Sequence, residues 1–422
     1  MSANIFIMDS NAILILNLLF YFAAFYFFQR RSAGFRFGSV VLFVYFFVSV
    51  ISLFLFDSEF SNFNDLSLLP FVYLFVVFLI FVYPLLNLRE KKFSDIFIYD
   101  SRCLDFLSIL LITLTLLNFF GEIQLLSLSS LFDYNMILNS YDQSHEELEL
   151  MTSESSVLRM LYVVIRDFSF PLLIYNILLK KKKMIYGILF SIILGILLSL
   201  SNSSRNGLVS LVVSLPYLYI ILKYRLGEKL KKKLLFILAV FVIFIGFIFF
   251  IITYARFGQE SNDKLFYSLE NYTGQSMLVF NNYGMDANGI RYGDRTAPLI
   301  RKLLGLKTST NYYERRFVYS KMLVNDSYFI TFIGDFTLDY GPMFAVIILS
   351  IFSFLFFRCL KIYNKYSLSH IFILYLYYNW CVRGFTLWTY SEKLGNLSLV
   401  MFFVIFCLLR YKEKYFYGTK QR

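Results

Sequence analysis

Charged side chains, histidine and cysteine are all scarce in this sequence. Only 16% of the 422 residues are charged, whereas soluble domains carry about a quarter. The two histidines, His145 and His370, lie far apart in the chain, and the cysteines show no metal-ligand spacing. The low charge excludes an ordinary soluble domain, and the cysteine pattern supports neither a disulfide framework nor a zinc site.

The sequence instead contains many long apolar runs. Hydrophobic residues make up 58% of the chain, with 52 Phe and 33 Tyr, and the mean hydropathy is +0.63. The runs are about 17 to 25 residues long, which is the length a helix needs to cross the hydrocarbon layer of a bilayer. This predicts an all-α, polytopic integral membrane protein. The net charge of +12 is typical of lysine and arginine in cytoplasmic connections, so no nucleic-acid partner is predicted.

Eleven apolar runs are predicted to be transmembrane helices. The connections after odd-numbered runs are basic, as at Arg30 and Arg31, whereas the short connections after even-numbered runs are not. The positive-inside rule therefore places the N-terminus outside and the C-terminus inside. The predicted spans are 11–28, 39–56, 68–87, 103–120, 157–179, 184–200, 205–224, 234–254, 342–358, 367–383 and 395–410.

Two long connections fall on the outer side of this topology. Residues 121–156 form an acidic loop, and residues 255–341 form a large loop between spans eight and nine. Neither loop resembles a flexible linker, so residues 1–422 are interpreted as a single membrane domain with an external cap. Within the large loop, residues 297–304, ended by Gly305, are predicted to form a short amphipathic helix on the membrane surface.

Several arginines are predicted to lie within or at the outer edge of the membrane. Arg205 opens a span after a short polar break, and Arg159 and Arg166 are seven residues apart on one helical face. Arg256 and Arg383 lie at the outer ends of their spans. Arginine binds phosphate oxygens in a bidentate manner and stays charged, so this set suits an anionic lipid headgroup. Internal ion pairs and snorkelling side chains are the structural alternatives.

Arginines and tyrosines alternate in the large external loop. Arg291 and Arg295 are candidate phosphate or uronate ligands, and aromatic rings can stack on sugars. The alternative is an aromatic belt at the lipid headgroups. Gly284, Gly289 and Gly293 predict tight turns in the same loop. The candidate stacking residues are Tyr272, Tyr292 and Tyr312.

Asp335 and Asp339 are four residues apart just before span nine. On a helix they share a face, and a carboxyl with a raised pKa near the membrane can act as a base. Pairing with the loop arginines is the structural alternative. Both are therefore candidate catalytic residues, together with Arg205.

Three motifs resemble the bacterial O-antigen and oligosaccharide repeat-unit polymerases. They are the Ser204-Arg205-Asn206-Gly207 break that opens a span, Tyr272-Thr-Gly-Gln275 in a large external loop, and Gly334-Asp-Phe-Thr-Leu-Asp-Tyr-Gly341 before a late span. The resemblance extends to the topology of nearly the whole chain. It implies a GT-C-like, metal-independent membrane glycosyltransferase, without cofactor, in the inner membrane.

The same resemblance implies which partners the protein has and on which face of the membrane it acts. The donor and acceptor are polyprenyl-pyrophosphate-linked oligosaccharides, joined at the periplasmic face into O-antigen or capsular polysaccharide. Membrane lipid and a chain-length regulator protein are further candidate partners. Related O-antigen ligases carry a histidine in the external loop, and this chain has none there, which favours a polymerase over a ligase. A lipid-linked oligosaccharide flippase is the rival, although the long outer connections favour an enzyme acting on one side.

Overall fold

The computed structural model describes most of the chain and is mostly helical. In chain order the helices are α1 Ser10–Arg31, α2 Phe37–Phe56, α3 Leu68–Leu86, α4 Arg102–Glu122, α5 Glu154–Arg166, α6 Ser169–Leu178, α7 Lys182–Ser201, α8 Asn206–Leu222, α9 Glu228–Phe257, α10 Asn262–Val279, α11 Pro298–Leu303, α12 Tyr312–Val318, α13 Thr331–Tyr340, α14 Pro342–Leu360, α15 Leu368–Arg383 and α16 Glu392–Lys420. The described residues are 9–31, 34–122, 154–201, 206–257, 262–309, 312–324, 326, 328–361 and 365–420.

Seven helices within the described residues are long and apolar enough to cross a membrane. Each coincides with one predicted apolar run, because a run without charged residues satisfies its backbone polar groups internally only as a helix. The all-α, multi-pass membrane architecture is thereby confirmed. The seven spans are Ser10–Arg31, Phe37–Phe56, Leu68–Leu86, Arg102–Gly121, Lys182–Leu200, Pro342–Leu360 and Glu392–Tyr415.

The fifth predicted span is divided into two helices. The apolar run 157–179 predicts one helix, but α5 ends at Arg166 and α6 begins at Ser169. Pro171 explains the division, because its nitrogen cannot donate to the carbonyl of Asp167 and its ring clashes with that carbonyl in a continuous helix. The Phe168 N–H instead donates to Ile165 O at 3.0 Å.

The predicted external loop is largely helical. It contains α10, a π-helical turn at Phe280–Gly284, and the short helices α11, α12 and α13. The amphipathic helix expected at 297–304 is confirmed as α11. The acidic loop expected at 121–156 lies mostly outside the described residues.

The chain divides into two compact units. The first comprises Met1–Leu88, Ser261–Arg358 and Tyr378–Glu392. Within it α10 packs closely against α2, where the Ser52 hydroxyl donates to Gly274 O at 2.8 Å. A Cβ at Gly274 would lie 2.9 Å from the Ser52 nitrogen, so only glycine permits this approach.

The second unit comprises Arg89–Glu260, Cys359–Tyr377 and Lys393–Arg422. It contains a short parallel pair of strands, β1 Ile96–Phe97 and β2 Tyr366–Ser367. The Arg225 guanidinium donates to Phe93 O at 3.3 Å and to Ile96 O at 3.2 Å. Connections that the charge pattern predicts to be cytoplasmic are therefore joined by hydrogen bonds within this unit.

Candidate functional site

Helix α13 presents the two predicted carboxylates on one face. Asp335 and Asp339 lie one turn apart, and both are completely buried. Gly341 ends the helix at φ 79°, a conformation that favours glycine, and Pro342 starts α14. The predicted shared face is therefore present.

A turn-rich segment brings two arginines to that face. Gly289 and Gly293 have positive φ values of 145° and 82°, as do Asn288 and Tyr292 beside them. The backbone N–H of Arg291 donates to Leu338 O at 2.9 Å, which ties this segment to α13. The glycine pattern thus predicts the tight turns correctly at Gly289 and Gly293.

Arg291 lies among three carboxylates. Its Nε is 2.7 Å from Asp339 Oδ1, its Nη2 is 3.6 Å from Asp335 Oδ1, and its Nη1 pairs with Asp326. Burial by itself lowers the pKa of Arg291, but these carboxylates raise it above its ordinary value. The guanidinium therefore stays charged although only 2% of the residue is exposed.

Both carboxylate oxygens of Asp339 contact residues 291–296, the segment that lies against α13. Its Oδ2 accepts hydrogen bonds from the Thr296 N–H at 2.7 Å, the Thr296 hydroxyl at 2.6 Å and the Arg295 N–H at 3.3 Å. With Arg291 on the other oxygen, Asp339 joins residues 291–296 to α13. Asp339 is thus paired with a loop arginine, as the structural alternative predicts, and its catalytic role stays a prediction.

Asp335 occupies a different environment on the same face. Its Oδ2 accepts from the Trp388 N–H at 2.8 Å, and its Oδ1 is 3.3 Å from Arg295 Nε. Burial raises the pKa of Asp335 above its ordinary value, although Arg295 and Arg291 act in the opposite direction. A carboxyl of this kind can exchange a proton closer to neutral pH than an exposed aspartate.

Asp326 is the point at which three arginines meet. Arg291 and Arg315 contact its two oxygens, and Arg295 Nη1 lies 3.4 Å from Oδ1. Burial tends to raise the pKa of Asp326, but the arginines outweigh it and hold the pKa well below the ordinary value. Asp326 is therefore ionised and compensates the buried arginines.

Glu392, whose side chain is 47% exposed, lies at the edge of a cluster whose other side chains are buried. We call this set the buried ionic cluster, and its members are Arg291, Arg295, Arg315, Asp326, Asp335, Asp339 and Glu392. The Glu392 carboxylate pairs with Arg315, with Oε2 3.1 Å from Nη1, and its backbone N–H donates to Arg295 O at 3.1 Å. Four carboxylates thus face three arginines. A proton on Asp335 balances the charges, so the charge count and the burial of Asp335 both favour a raised pKa.

A cavity of ≈ 260 Å³ lies against the cluster. Its cationic lining comes from Arg291, Arg315 and Arg316, and the Arg316 guanidinium lies 5.9 Å from the ring centre of Tyr313. Asp326 is the acidic lining residue. The full lining is Arg291, Arg315, Arg316, Tyr319, Ser320, Met322, Leu323, Val324 and Asp326. With cationic, hydroxyl and apolar groups together, the cavity suits a ligand that is both anionic and partly apolar.

The other predicted arginines lie on helices α5, α9 and α15 or outside the described residues. Arg383 is partly buried at the end of α15 and makes no ion pair with a carboxylate of the described chain. In the second unit, Arg159 and Arg166 share α5 as predicted, and Arg166 is exposed, 5.8 Å from the Tyr162 ring centre. Arg205 and the side chain of Arg256 lie outside the described residues.

Of the predicted stacking tyrosines whose side chains the structure describes, Tyr272 and Tyr292 are not part of the cavity lining. Tyr292 is 66% exposed, and the ring of Tyr272 makes an edge-to-face contact with Phe329 at 5.2 Å. The side chain of Tyr312 lies outside the described residues. Tyr319 is the tyrosine that lines the cavity, and its hydroxyl donates to Arg291 O at 3.1 Å.

The chain matches no model of a known protein family, and neither curated proteins nor solved structures match it. The assignment of a function therefore depends on the chemistry of the site.

Sequence reasoning did not assign Asp326 and Glu392 to the site, and it named Arg315 among the loop arginines without predicting that it pairs with them. The Arg315-Arg316 pair in a loop is a visible signal, because two adjacent cations require compensation when one is buried. Nothing in the spacing of Glu392, which is 77 residues from Arg315, identifies it as the partner.

Proposed function

We propose that this chain is a membrane glycosyltransferase that joins polyprenyl-pyrophosphate-linked oligosaccharide repeat units into O-antigen or capsular polysaccharide. The observation that carries the proposal is the cavity lined by Arg291, Arg315 and Arg316, in a protein with several membrane-crossing helices. Arg291 and Arg315 are paired with carboxylates, and Arg316 brings a further guanidinium to the lining. A guanidinium suits the phosphate or uronate groups of such a substrate, and Tyr319 adds an aromatic face and a hydroxyl.

The proposed reaction uses charge rather than metal. Arg205 contacts the donor pyrophosphate and stabilises the negative charge that builds on the leaving group. Arg159, Arg166 and Arg383 are proposed as further substrate-binding residues. Asp335 or Asp339 accepts the proton of the attacking hydroxyl. Both oxygens of each aspartate are engaged with arginines or N–H groups. Asp335 is distinguished by its raised pKa, which makes it the stronger base when it is ionised.

The proposed topology has eleven spans with the N-terminus outside. The seven confirmed apolar helices are supplemented by α8, α9, α15 and the divided α5–α6 segment. In this arrangement the buried ionic cluster faces the periplasm. A chain-length regulator is the proposed protein partner.

Gene deletion followed by electrophoresis of the surface glycan tests the function. Loss of a polymerase leaves single repeat units, loss of a flippase leaves none, and loss of a ligase leaves glycan on its lipid carrier. The proposal requires the single-unit pattern, with a ladder restored by the wild-type chain. An unchanged ladder would contradict it.

A further inference from the structure

Helix α11 turns its apolar side outward. Ile300, Leu303 and Leu304 lie at i, i+3 and i+4 and are 58%, 80% and 70% exposed. Leu306, just after the helix, is 53% exposed. These side chains share one face and form a continuous apolar surface.

The inward side of α11 carries Arg301 and Pro298. The Arg301 guanidinium donates to the carbonyls of Tyr292 at 2.7 Å and Arg291 at 3.2 Å, and Pro298 is buried. A helix on a water-exposed protein surface has the reverse arrangement, with leucines inward and arginine outward. The outer environment of α11 is therefore apolar.

The charge around this face identifies the environment more closely. Residues 297–308 contain three basic side chains and no acidic one. Lys302 and Lys307, which are adjacent in sequence to Leu303 and Leu306, are exposed. Leucines flanked by lysines are typical of helices that lie at the headgroup boundary of an anionic bilayer. The chain crosses a membrane by several helices, so such a bilayer is always adjacent.

We infer that residues 298–307 form a binding surface for anionic phospholipid. Ile300, Leu303 and Leu304 insert among the acyl chains near the headgroups, and Lys302 and Lys307 contact the phosphates. Because Arg301 holds the carbonyls of Arg291 and Tyr292, the lipid contact anchors the segment that carries Arg291 into the buried ionic cluster. The inference is independent of the reaction that the protein catalyses.

Tryptophan fluorescence of the full chain in nanodiscs tests this inference. The native Trp380 and Trp388 are 0% and 3% exposed, so the wild-type spectrum serves as a constant background. Leu303→Trp, with Leu304→Trp as a second variant in case the first does not fold, is measured in phosphatidylethanolamine–phosphatidylglycerol discs. We expect quenching by lipids brominated near the headgroup end of the chains, and little quenching by aqueous iodide.

Two matched variants calibrate the result. Ile351→Trp, on a membrane-crossing helix, reports lipid, and Lys321→Trp, at an exposed loop position, reports water. Iodide quenching of Leu303→Trp equal to that of Lys321→Trp would overturn the inference, as would protection from both quenchers, which indicates a protein contact.

The lipid charge is tested by exchanging phosphatidylglycerol for phosphatidylcholine. We expect bromolipid quenching of Leu303→Trp to fall in the neutral discs, and to fall equally in anionic discs when Lys302→Gln and Lys307→Gln are added. Quenching that is the same in both lipids would show an apolar contact without the anionic specificity proposed here, and would overturn that part of the inference.

Discussion

Arg291 is a buried cation surrounded by more negative charge than it can neutralise alone. Taking a guanidinium out of water is strongly unfavourable, and three carboxylates within 3.6 Å offset that cost. Replacing such a group leaves its partners buried and uncompensated. Each member of the buried ionic cluster therefore affects the stability of the others.

Asp326→Asn should destabilise the protein by about 3–5 kcal/mol, the range found when one partner of a buried ion pair is removed. The reason is that Arg291, Arg295 and Arg315 lose the carboxylate that they share. Thermal unfolding in detergent measures the effect. The control is Asp65→Asn at an exposed position, which should change stability little. Equal effects of the two substitutions would contradict the compensating role of Asp326.

Asp335→Asn should show the opposite pH behaviour from Asp326→Asn. Since burial raises the pKa of Asp335 in the folded state, its contribution to stability is present below the ordinary pKa of 3.8 and is lost as pH rises through the folded value. The Asn variant avoids this loss, so its stability relative to wild type should improve as pH rises. Unfolding curves measured across a pH series check the sign.

The pKa of Asp326 is lowered, so its contribution is present above 3.8 and is lost only at strongly acidic pH. Asp326→Asn should therefore remain destabilising throughout the neutral range. A parallel pH dependence of the two variants would refute the assignment of different protonation states.

Arg205→Lys should be badly impaired in polymer formation, and Arg205→Ala should abolish it. Preorganised charge at a leaving group is commonly worth about 3 kcal/mol, roughly a hundredfold in rate, and lysine keeps the charge but lacks the bidentate fork. Glycan ladders from strains with matched protein levels measure this. Arg102→Lys, at an exposed position, should leave the ladder unchanged. A normal ladder from Arg205→Lys would exclude the bidentate role.

At the scale of elements, the contact between α2 and α10 depends on one glycine. Gly274→Ala places a Cβ 2.9 Å from the Ser52 nitrogen and 3.0 Å from Ile51 C, and backbone atoms cannot move away easily. Overpacking of this kind should lower stability by about 1–3 kcal/mol.

Gly246→Ala is the matched control, because it lies within helix α9 and its added Cβ meets open space. It should be neutral or slightly stabilising, since alanine favours helix. Unfolding temperatures in detergent compare the two variants. If Gly274→Ala is as stable as Gly246→Ala, the close approach of α10 to α2 is wrong.

Local patterns in the sequence predict the elements well. Apolar runs predict the membrane helices, and the spacing of Asp335 and Asp339 predicts their shared face on α13. Hydropathy alone missed the break before Ser169, because Pro171 is itself compatible with an apolar run. The missing hydrogen bond donor at proline, rather than its polarity, decides that break.

The partners in the buried ionic cluster were beyond prediction for a different reason. Arg315 contacts Asp326, which is 11 residues away, and Glu392, which is 77 residues away. Spacing along one helix relates residues three or four positions apart, but contacts between elements depend on how the whole unit packs. The sequence therefore predicted charged candidates without predicting their pairs.

At the scale of the molecule, cysteine labelling tests the topology. The native Cys103, Cys359, Cys381 and Cys407 are first replaced by serine. Single cysteines at Asp142 and Tyr292 should react with an impermeant maleimide in intact cells. Cysteines at Lys182, Lys231 and the C-terminal tail should react only after the membrane is opened, because basic connections stay in the cytoplasm. Labelling of Lys231→Cys in intact cells would contradict the eleven-span arrangement.

The contact of Glu392 with Arg315 and Arg295 has a consequence for biosynthesis. The ribosome finishes the segment that carries both arginines long before Glu392 is synthesised. During translation Arg315 therefore lacks one of its anionic partners, and the Arg295 carbonyl lacks the Glu392 N–H. Because domains generally fold as units, the first unit reaches its final charge balance only when the polypeptide has passed residue 392. In nascent chains that stop earlier, three aspartates face three arginines. The surplus negative charge that favours a proton on Asp335 is therefore absent until Glu392 is added.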